Sequence, residues 1–301
     1  MAKGKLKTVF FGTPDFAIPA LETAHESSEV LLVVTQEDRQ RGRGRKLSPT
    51  PVKERALELG LPVAQPAKVN DPEFLAQLEA LSADLFIVVA YGQILSQALI
   101  DLPQKTIINL HASILPKYRG AAPIQRSIME GEVETGVSLM EITAGLDAGP
   151  VALVKSTEIG DMDTGALTEV LAQLGAEALS DFLEAGGEME FKPQDHDGAT
   201  YAQKITKEDQ LLDPNTMTAV ELLRAIRGLS PEPGAKLSLW GEEYTIYEGA
   251  LSSEKLAPGE IRRSKKQLWL GAKEGSIEIL SLKKPGKKRM ETRALLAGLR
   301  D

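Results

Sequence analysis

The sequence predicts an α/β protein whose first two thirds form a doubly wound, mostly parallel sheet, followed by a smaller all-β domain. Three observations predict it. Over the first two hundred residues, short apolar runs alternate with helically spaced segments, the pattern of successive βαβ units. Residues 186–206 break that pattern with a stretch rich in Gly, Pro, Asp and Gln, without periodicity. Beyond it lie several short β-type runs separated by glycine turns, which suggest a small barrel or sandwich.

In chain order, strands are expected at residues 8–11, 30–35, 85–90, 106–110, 136–141 and 151–156, where β-branched and aromatic residues cluster between turn residues. Helical spacing marks residues 16–24, 52–59, 72–81, 123–130 and 164–185. Asp71 before Pro72 suits an N-cap followed by proline at the first helical position, and Gly60 suits a stop after Leu59. These signals divide the chain into an α/β domain over 1–189, a linker over 190–206 and a β domain over 207–301. Within the last, a helix over 219–227 precedes strands at 236–240, 243–248, 259–262, 267–270 and 276–282.

At 301 residues the chain is long enough for one large or two unequal domains. Its 42% apolar and 26% charged residues are ordinary globular usage, and no run approaches the roughly 18 apolar residues of a membrane span. The basic start is followed directly by a strand pattern, so no export leader is expected, and the reading is of a cytoplasmic protein without a membrane partner. The absence of cysteine excludes disulfides, thiolate metal sites and cysteine nucleophiles. Three histidines, His25, His111 and His196, are far apart in sequence, and no metal site is expected. The net charge of −8 argues against a polyanion partner, but the average hides a division. Residues 208–301 hold 16 Lys+Arg and 14 Asp+Glu (net +2), leaving a net −10 for the rest. Positive residues also cluster, at Arg39, Arg41, Arg43, Arg45 and Lys46, at Arg262, Arg263, Lys265 and Lys266, and at Lys283, Lys284, Lys287, Lys288 and Arg289. Local positive fields attract a polyanion whatever the total charge, although solvated surface lysines account for the last two clusters equally well.

Gly12-Thr13-Pro14 lies between the first strand and first helix, where a dinucleotide fingerprint would fall. It lacks the second and third glycines that admit a pyrophosphate, and no Walker lysine follows, so neither NAD nor ATP is expected there. A substrate-lining turn and a plain βα turn both remain open. The informative stretch begins at Asn109-Leu110-His111. Residues two apart on a strand leave the same face, so Asn109 and His111 point together near the carboxyl end of a strand, where ligands of such sheets bind. Histidine exchanges protons near neutrality and asparagine offers an amide donor, a pair suited to holding an oxyanion while protons move. For an isolated Asn-x-His a structural histidine is the simpler reading. The loop that follows, Ala112 to Pro123, has two prolines and no apolar periodicity, and Gly145-Leu146-Asp147-Ala148-Gly149 offers one carboxylate in a glycine-flanked turn. A carboxylate reaching His111 would orient its ring, but a turn aspartate is the simpler reading of Asp147 alone.

Taken together, Asn109-Leu110-His111-Ala112-Ser113-Ile114-Leu115-Pro116, Arg119-Gly120 and Gly145-Leu146-Asp147-x-Gly149 resemble the folate-dependent formyltransferase family. The resemblance spans essentially the whole chain and implies a Rossmann-like catalytic domain and an oligonucleotide-binding-like (OB-like) C-terminal barrel. It implies 10-formyltetrahydrofolate as the formyl donor, with no metal. Asn109, His111 and Asp147 then look like the family's catalytic set, with Asn109 and His111 on the oxyanion and Asp147 holding His111 and aiding proton transfer. Folate would lie against Ser113, Ile114, Leu115, Pro116 and the loop Ala90-Tyr91-Gly92. The stretch 11–16, the basic loop 42–46 and Ala121 to Arg126 are similar to the branch of the family that formylates initiator methionyl-tRNA. Acceptor contacts are accordingly expected at Arg43, Arg45, Lys46, Gly12, Thr13 and Pro14, with further tRNA contacts in the C-terminal domain, in a chain that acts as a monomer. The segment from Ser230 to Lys236 departs from the family in having Glu232 and Lys236 where aromatics are frequent. Rival readings are a formyltransferase for a small amine, such as a nucleotide-linked aminosugar or glycinamide ribonucleotide, and a catalytically silent RNA-binding protein on the same scaffold.

Overall fold

The apolar runs become buried strands, and the computed structural model, which describes residues 5–41 and 46–298, places them as follows. The chain opens β1 (Lys7–Gly12), α1 (Ile18–Ser27), β2 (Glu29–Val34), the hairpin β3 (Arg39–Arg41) and β4 (Lys46–Ser48), then α2 (Pro51–Glu58) and β5 (Val63–Ala64). It continues through α3 (Pro72–Ala80), β6 (Leu85–Val89), α4 (Gln97–Ile100), β7 (Thr106–His111), β8 (Arg119–Gly120), α5 (Pro123–Glu130), β9 (Glu134–Glu141) and β10 (Val151–Glu158). The long α6 (Thr164–Glu184) and short β11 (Tyr201–Ala202) complete this part. Helix starts follow the signals in the sequence. Asp71 accepts from the Glu73 amide at 3.1 Å ahead of Pro72, Thr50 accepts from the Lys53 amide at 3.2 Å ahead of Pro51, and Gly60 turns left-handed (φ 70°) just past α2.

The main sheet has seven strands in the order β10-β9-β7-β6-β1-β2-β5. From β5 to β7 all pairings are parallel, whereas β9 runs antiparallel to β7. Every residue of β6 is buried, as expected of a central strand covered on both faces, while β10 at the edge has none buried and alternates between half-buried and exposed along its second half. Strand order reverses about β1, with β2 on one side and β6 on the other. Such a switch point opens a crevice at the carboxyl ends of the strands.

By contacts the chain forms two compact units. One comprises Met1–Gly120, Thr135–Thr157 and Thr168–Tyr201, and the other gathers Ala121–Glu134, Glu158–Leu167 and the chain from Ala202 onward. The second unit therefore takes two pieces from the segment before residue 189, α5 among them. Its later elements are α7 (Ala219–Leu229), β12 (Ala235–Leu239), β13 (Glu242–Ser252), β14 (Ile261–Arg263), β15 (Leu268–Gly271), β16 (Ser276–Lys283), β17 (Met290–Glu291) and α8 (Thr292–Gly298). The strands form one antiparallel sheet, β12-β13-β16-β15-β14 with β17 also on β16, curled as a half-barrel. Register shifts beside Glu248 mark the bulge in the long β13–β16 ladder, and bulges bend strands. Leu222, Ile226 and Leu229 of α7 fill its core with Leu237, Ile246, Leu270, Ile277 and Ile279. Trp240 meets Tyr244 edge-on at 6.0 Å between ring centroids, and Trp269 pairs across the ladder with Glu278. The start of α7 carries a capping box between Thr218 and Glu221. No helix among the described residues is long and apolar enough to cross a membrane.

Within this unit α5 lies on α7, and a glycine makes the close approach possible. A Cβ on Gly228 would sit 2.5 Å from Met129 Cγ and 3.0 Å from the Gln125 carbonyl. On the other side of α5, Arg126 grips Asp209 through two parallel bonds of 2.9 Å, and the Thr206 amide and hydroxyl also donate to that carboxylate. These donors, Arg126 foremost, pull the Asp209 carboxyl down to about 2. A carboxyl depressed in the folded state adds stability that is fully present above its unfolded value of about 3.9 and is lost as pH falls through the folded one. The shift corresponds to roughly 2 kcal/mol. Asp209→Asn should therefore lower the denaturation midpoint at neutral pH, and the gap from the unmodified protein should close as pH drops from about 4 toward about 2. A pH-independent gap in paired urea titrations would show that the charge is not the source.

Candidate active site

Three adjacent parallel strands end level with one another. Gly12 of β1 is paired with Val89 of β6, and Val88 of β6 with Asn109 of β7, so one step on Thr13, Ala90 and His111 follow on neighbouring strands about 4.8 Å apart. The expected contact residues of three separate segments thus meet at the switch point.

The first loop is fixed by its neighbours. The Thr13 hydroxyl donates to the Tyr91 carbonyl at 2.8 Å, and Gln36 Nε2, from the segment after β2, donates to the same oxygen at 3.0 Å. Gly12 is a packing requirement: a Cβ there would lie 2.7 Å from the Phe10 ring and 2.9 Å from Ala17 Cβ. Pro14 is half-buried and precedes the single helical turn that leads into α1. In the second loop Ala90 and Gly92 are exposed, whereas Tyr91 turns inward with its ring edge-on to Phe11 at 5.6 Å. Gly92 has φ +89°, and a Cβ there would lie 2.6 Å from Gln36 Nε2, so the backbone stays bare. Ala90 takes φ 48° without being glycine. The Tyr91 hydroxyl is the one buried side-chain polar atom without a hydrogen-bond partner among the described residues. Burial pushes it up to about 12, so it stays protonated at ordinary pH.

Asn109 and His111 leave the same face of β7, Asn109 half-buried and His111 6% exposed. His111 Nε2 lies 2.9 Å from the Tyr118 carbonyl, which can only accept, so Nε2 carries the hydrogen. The other nitrogen, Nδ1, faces Asp147 Oδ2 at 3.7 Å, longer than a hydrogen bond. Asp147 sits in a turn with φ 44°, and Oδ2 accepts from the Gly120 amide at 2.8 Å. Gly149 beside it admits no side chain, since a Cβ would fall 1.9 Å from the Glu141 carbonyl. The loop after β7 is folded on itself. Ser138, opposite His111 on β9, donates to the Ser113 carbonyl at 2.7 Å and accepts from the Leu115 amide at 3.1 Å. The fully buried Ser113 donates its own hydroxyl to the Lys117 carbonyl at 2.6 Å. Of the four loop residues expected to meet folate, Ser113 and Leu115 are buried and engaged in holding the loop, and Ile114 and Pro116 remain half-open.

Residues 194–200, part of the expected linker, were not among the candidates, yet they run along the site. Tyr118 and Arg119 donate their amides to the Thr200 hydroxyl and carbonyl, each at 2.9 Å. Gln194, 9% exposed, accepts from Arg119 and donates to the carbonyls of Asp147 and Gly149. The available signal was the density of side chains that carry chemistry in Gln194-Asp195-His196-Asp197. Of the basic loop, Arg43 and Arg45 fall outside the described residues, and Lys46 opens β4, paired with Arg41. No group of three or more His, Asp or Glu among the described residues is placed to hold a metal ion.

A Rossmann-like sheet with Asn109 and His111 at the carboxyl end of β7, and Asp147 facing His111 from the turn after β9, agrees with a transferase of one-carbon units. The chain belongs to the formyl transferase family: the N-terminal formyl transferase domain matches residues 6–183, and the formyl transferase C-terminal domain matches residues 204–300. Relatives matching nearly end to end are methionyl-tRNA formyltransferases. That of Xanthomonas axonopodis is 45% identical over 98% of this chain and 98% of its own length, that of Geobacter sulfurreducens 43% over 98% and 94%, and that of Cereibacter sphaeroides 42% over 97% and 96%. More distant solved structures share the fold. The N-formyltransferase from Helicobacter canadensis, in complex with folinic acid and dTDP-3-aminofucose, superposes with a TM-score of 0.71 at 18% identity, covering 95% of this chain and all of that one. HypX from Aquifex aeolicus, in complex with tetrahydrofolic acid, gives 0.64 at 16% identity, covering 98% of this chain and 47% of that one.

Because the Tyr91 hydroxyl satisfies nothing inside the protein, deleting it removes a desolvated group without orphaning a partner. Tyr91→Phe should leave the thermal midpoint equal to that of the unmodified protein or above it. A fall of more than about 2 °C by calorimetry would mean that the hydroxyl is bonded in solution.

Proposed function

We propose that this protein transfers the formyl group of 10-formyltetrahydrofolate to the free amino group of methionyl-tRNA, giving N-formylmethionyl-tRNA for translation initiation in the cytoplasm. The observation that carries it is the meeting of Asn109, His111 and Asp147 in a chain matched along its length by methionyl-tRNA formyltransferases.

In this transfer the amine lone pair attacks the formyl carbon, negative charge gathers on the formyl oxygen, and a proton passes from the attacking to the leaving nitrogen as the old C–N bond breaks. Catalysis needs donors at the oxygen and a route for the proton. Asn109 makes no side-chain hydrogen bond among the described residues and supplies the first donor. His111 has its Nε2–H tied to the Tyr118 carbonyl, so in its protonated form it turns Nδ1–H toward the substrate as the second. The 3.7 Å between Nδ1 and Asp147 Oδ2 is too long for a direct bond, but a third polar atom between them can bond to both. That point suits the acceptor nitrogen or a relaying water, with Asp147 orienting His111 and carrying the proton.

The donor fits what surrounds the second loop. The bare backbone of Gly92, the exposed Ala90 and the half-open Ile114 and Pro116 together offer a largely apolar wall to a heterocycle. For the acceptor we assign Gly12, Thr13 and Pro14 to the methionyl end and Arg43, Arg45 and Lys46 to phosphates near the tRNA tip.

The test is transfer of labelled formyl from 10-formyltetrahydrofolate to methionyl-tRNA, with uncharged tRNA and free methionine as controls. Labelling of the charged tRNA alone is expected, and labelling of a nucleotide-linked aminosugar instead would replace this acceptor with a small amine. His111→Ala should lower kcat by about 10²- to 10⁴-fold, and near-normal turnover would remove His111 from the chemistry. Arg43→Ala should raise KM for methionyl-tRNA while tetrahydrofolate affinity stays level. An equal loss of both would signal damage to the fold rather than to acceptor binding.

A further inference from the structure

Arg119 is only 4% exposed, yet no carboxylate lies within 4 Å of its guanidinium among the described residues. Its partners are neutral. Nε and Nη2 both donate to Gln194 Oε1, at 3.1 and 2.7 Å, and Nη2 also meets His196 Nδ1 at 3.0 Å. A buried cation is costly unless well bonded, and here a glutamine amide does most of that bonding. The other end of the same amide is equally engaged: Gln194 Nε2 donates to the Asp147 carbonyl at 2.9 Å and to the Gly149 carbonyl at 2.7 Å. All four hydrogen-bonding positions of the Gln194 amide are used.

The two carbonyls belong to the turn that bears the candidate proton carrier, and Asp147 is held there in a left-handed conformation that a non-glycine residue adopts only under constraint. The residue after Arg119 completes the grip, since the Gly120 amide donates to Asp147 Oδ2. One dipeptide therefore holds Asp147 twice, by its backbone through Gln194 and by its carboxylate directly. The cation at one end of the amide polarises it and strengthens both N–H bonds at the other.

We propose that Gln194, anchored by Arg119, is a positioning residue for formyl transfer: it locks the backbone of the Asp147 turn so that the carboxylate faces His111 Nδ1. This rests on the reading that His111 and Asp147 carry the chemistry.

Gln194→Glu isolates the claim. The carboxylate keeps its partner Arg119 and the side-chain volume, but places an acceptor against two carbonyls where the amide had donated, so the turn must open. The expected result for the full-length protein is a kcat about 10- to 100-fold lower, with KM for both substrates within about threefold and the thermal midpoint within a few degrees of the parent. A merely structural bond would move the midpoint and leave kcat per folded molecule alone. Gln194→Asn, which withdraws the same amide by one methylene, should give the same loss and serves if the glutamate variant does not fold. Normal kcat in either folded variant, a change confined to KM, or failure of both to fold would overturn the proposal. If His111→Ala keeps its activity, the underlying reading has failed. If it loses activity while folded Gln194→Glu does not, only the positioning role falls.

Discussion

β7 is hydrogen-bonded along both edges, to β6 in one direction and to β9 in the other, and four of its six residues are buried. A strand so enclosed can offer chemistry only from its last residues, and everything at the site is arranged around that limit. Alternation aims Asn109 and His111 at the same face. The level endings of β1 and β6 bring their loops to it, and the return strand β9 supplies Ser138, which pins the loop that follows. Between β9 and β10 the chain turns back so that Asp147 comes within reach of His111.

That arrangement uses strained backbone in a concentrated way. Ala90, Tyr118 and Asp147 are three of the five described non-glycine residues at positive φ, and each adjoins the site. Such conformations cost on the order of 1–3 kcal/mol apiece and persist only when neighbours over-determine them. For Tyr118 the constraint is the Thr200 hydroxyl on its amide, and for Asp147 it is the Gln194 amide and the Gly120 N–H. For Ala90 it is the doubly bonded carbonyl of the next residue.

The parts legible in the sequence were those written in local periodicity. The central strands, the caps at Asp71 and Gly60, helix α5 and the Asn109–His111 pair were each expected within a few residues of where they stand. The direction of β9 was not, because a buried strand has the same apolar pattern whether its neighbour is parallel or antiparallel. Gln194 was missed for a different reason: it lies in an aperiodic stretch, and its value comes wholly from partners 45 to 75 residues away. The two-residue strands β8 and β11 are of that kind too, being stretches of backbone tied across the fold rather than sequence patterns.

The placement of the two tryptophans has a practical side. Both Trp240 and Trp269 lie in the unit built around the curled sheet, whereas Tyr91, Tyr118 and Tyr201 are the aromatic hydroxyls of the unit that holds β7. Indole emission excited at the red edge therefore watches one unit and is blind to the other, whereas the phenols are divided, Tyr244 and Tyr247 lying in the same unit as the indoles. The protein therefore carries, without added labels, an optical channel that reports a loosening of the curled sheet alone.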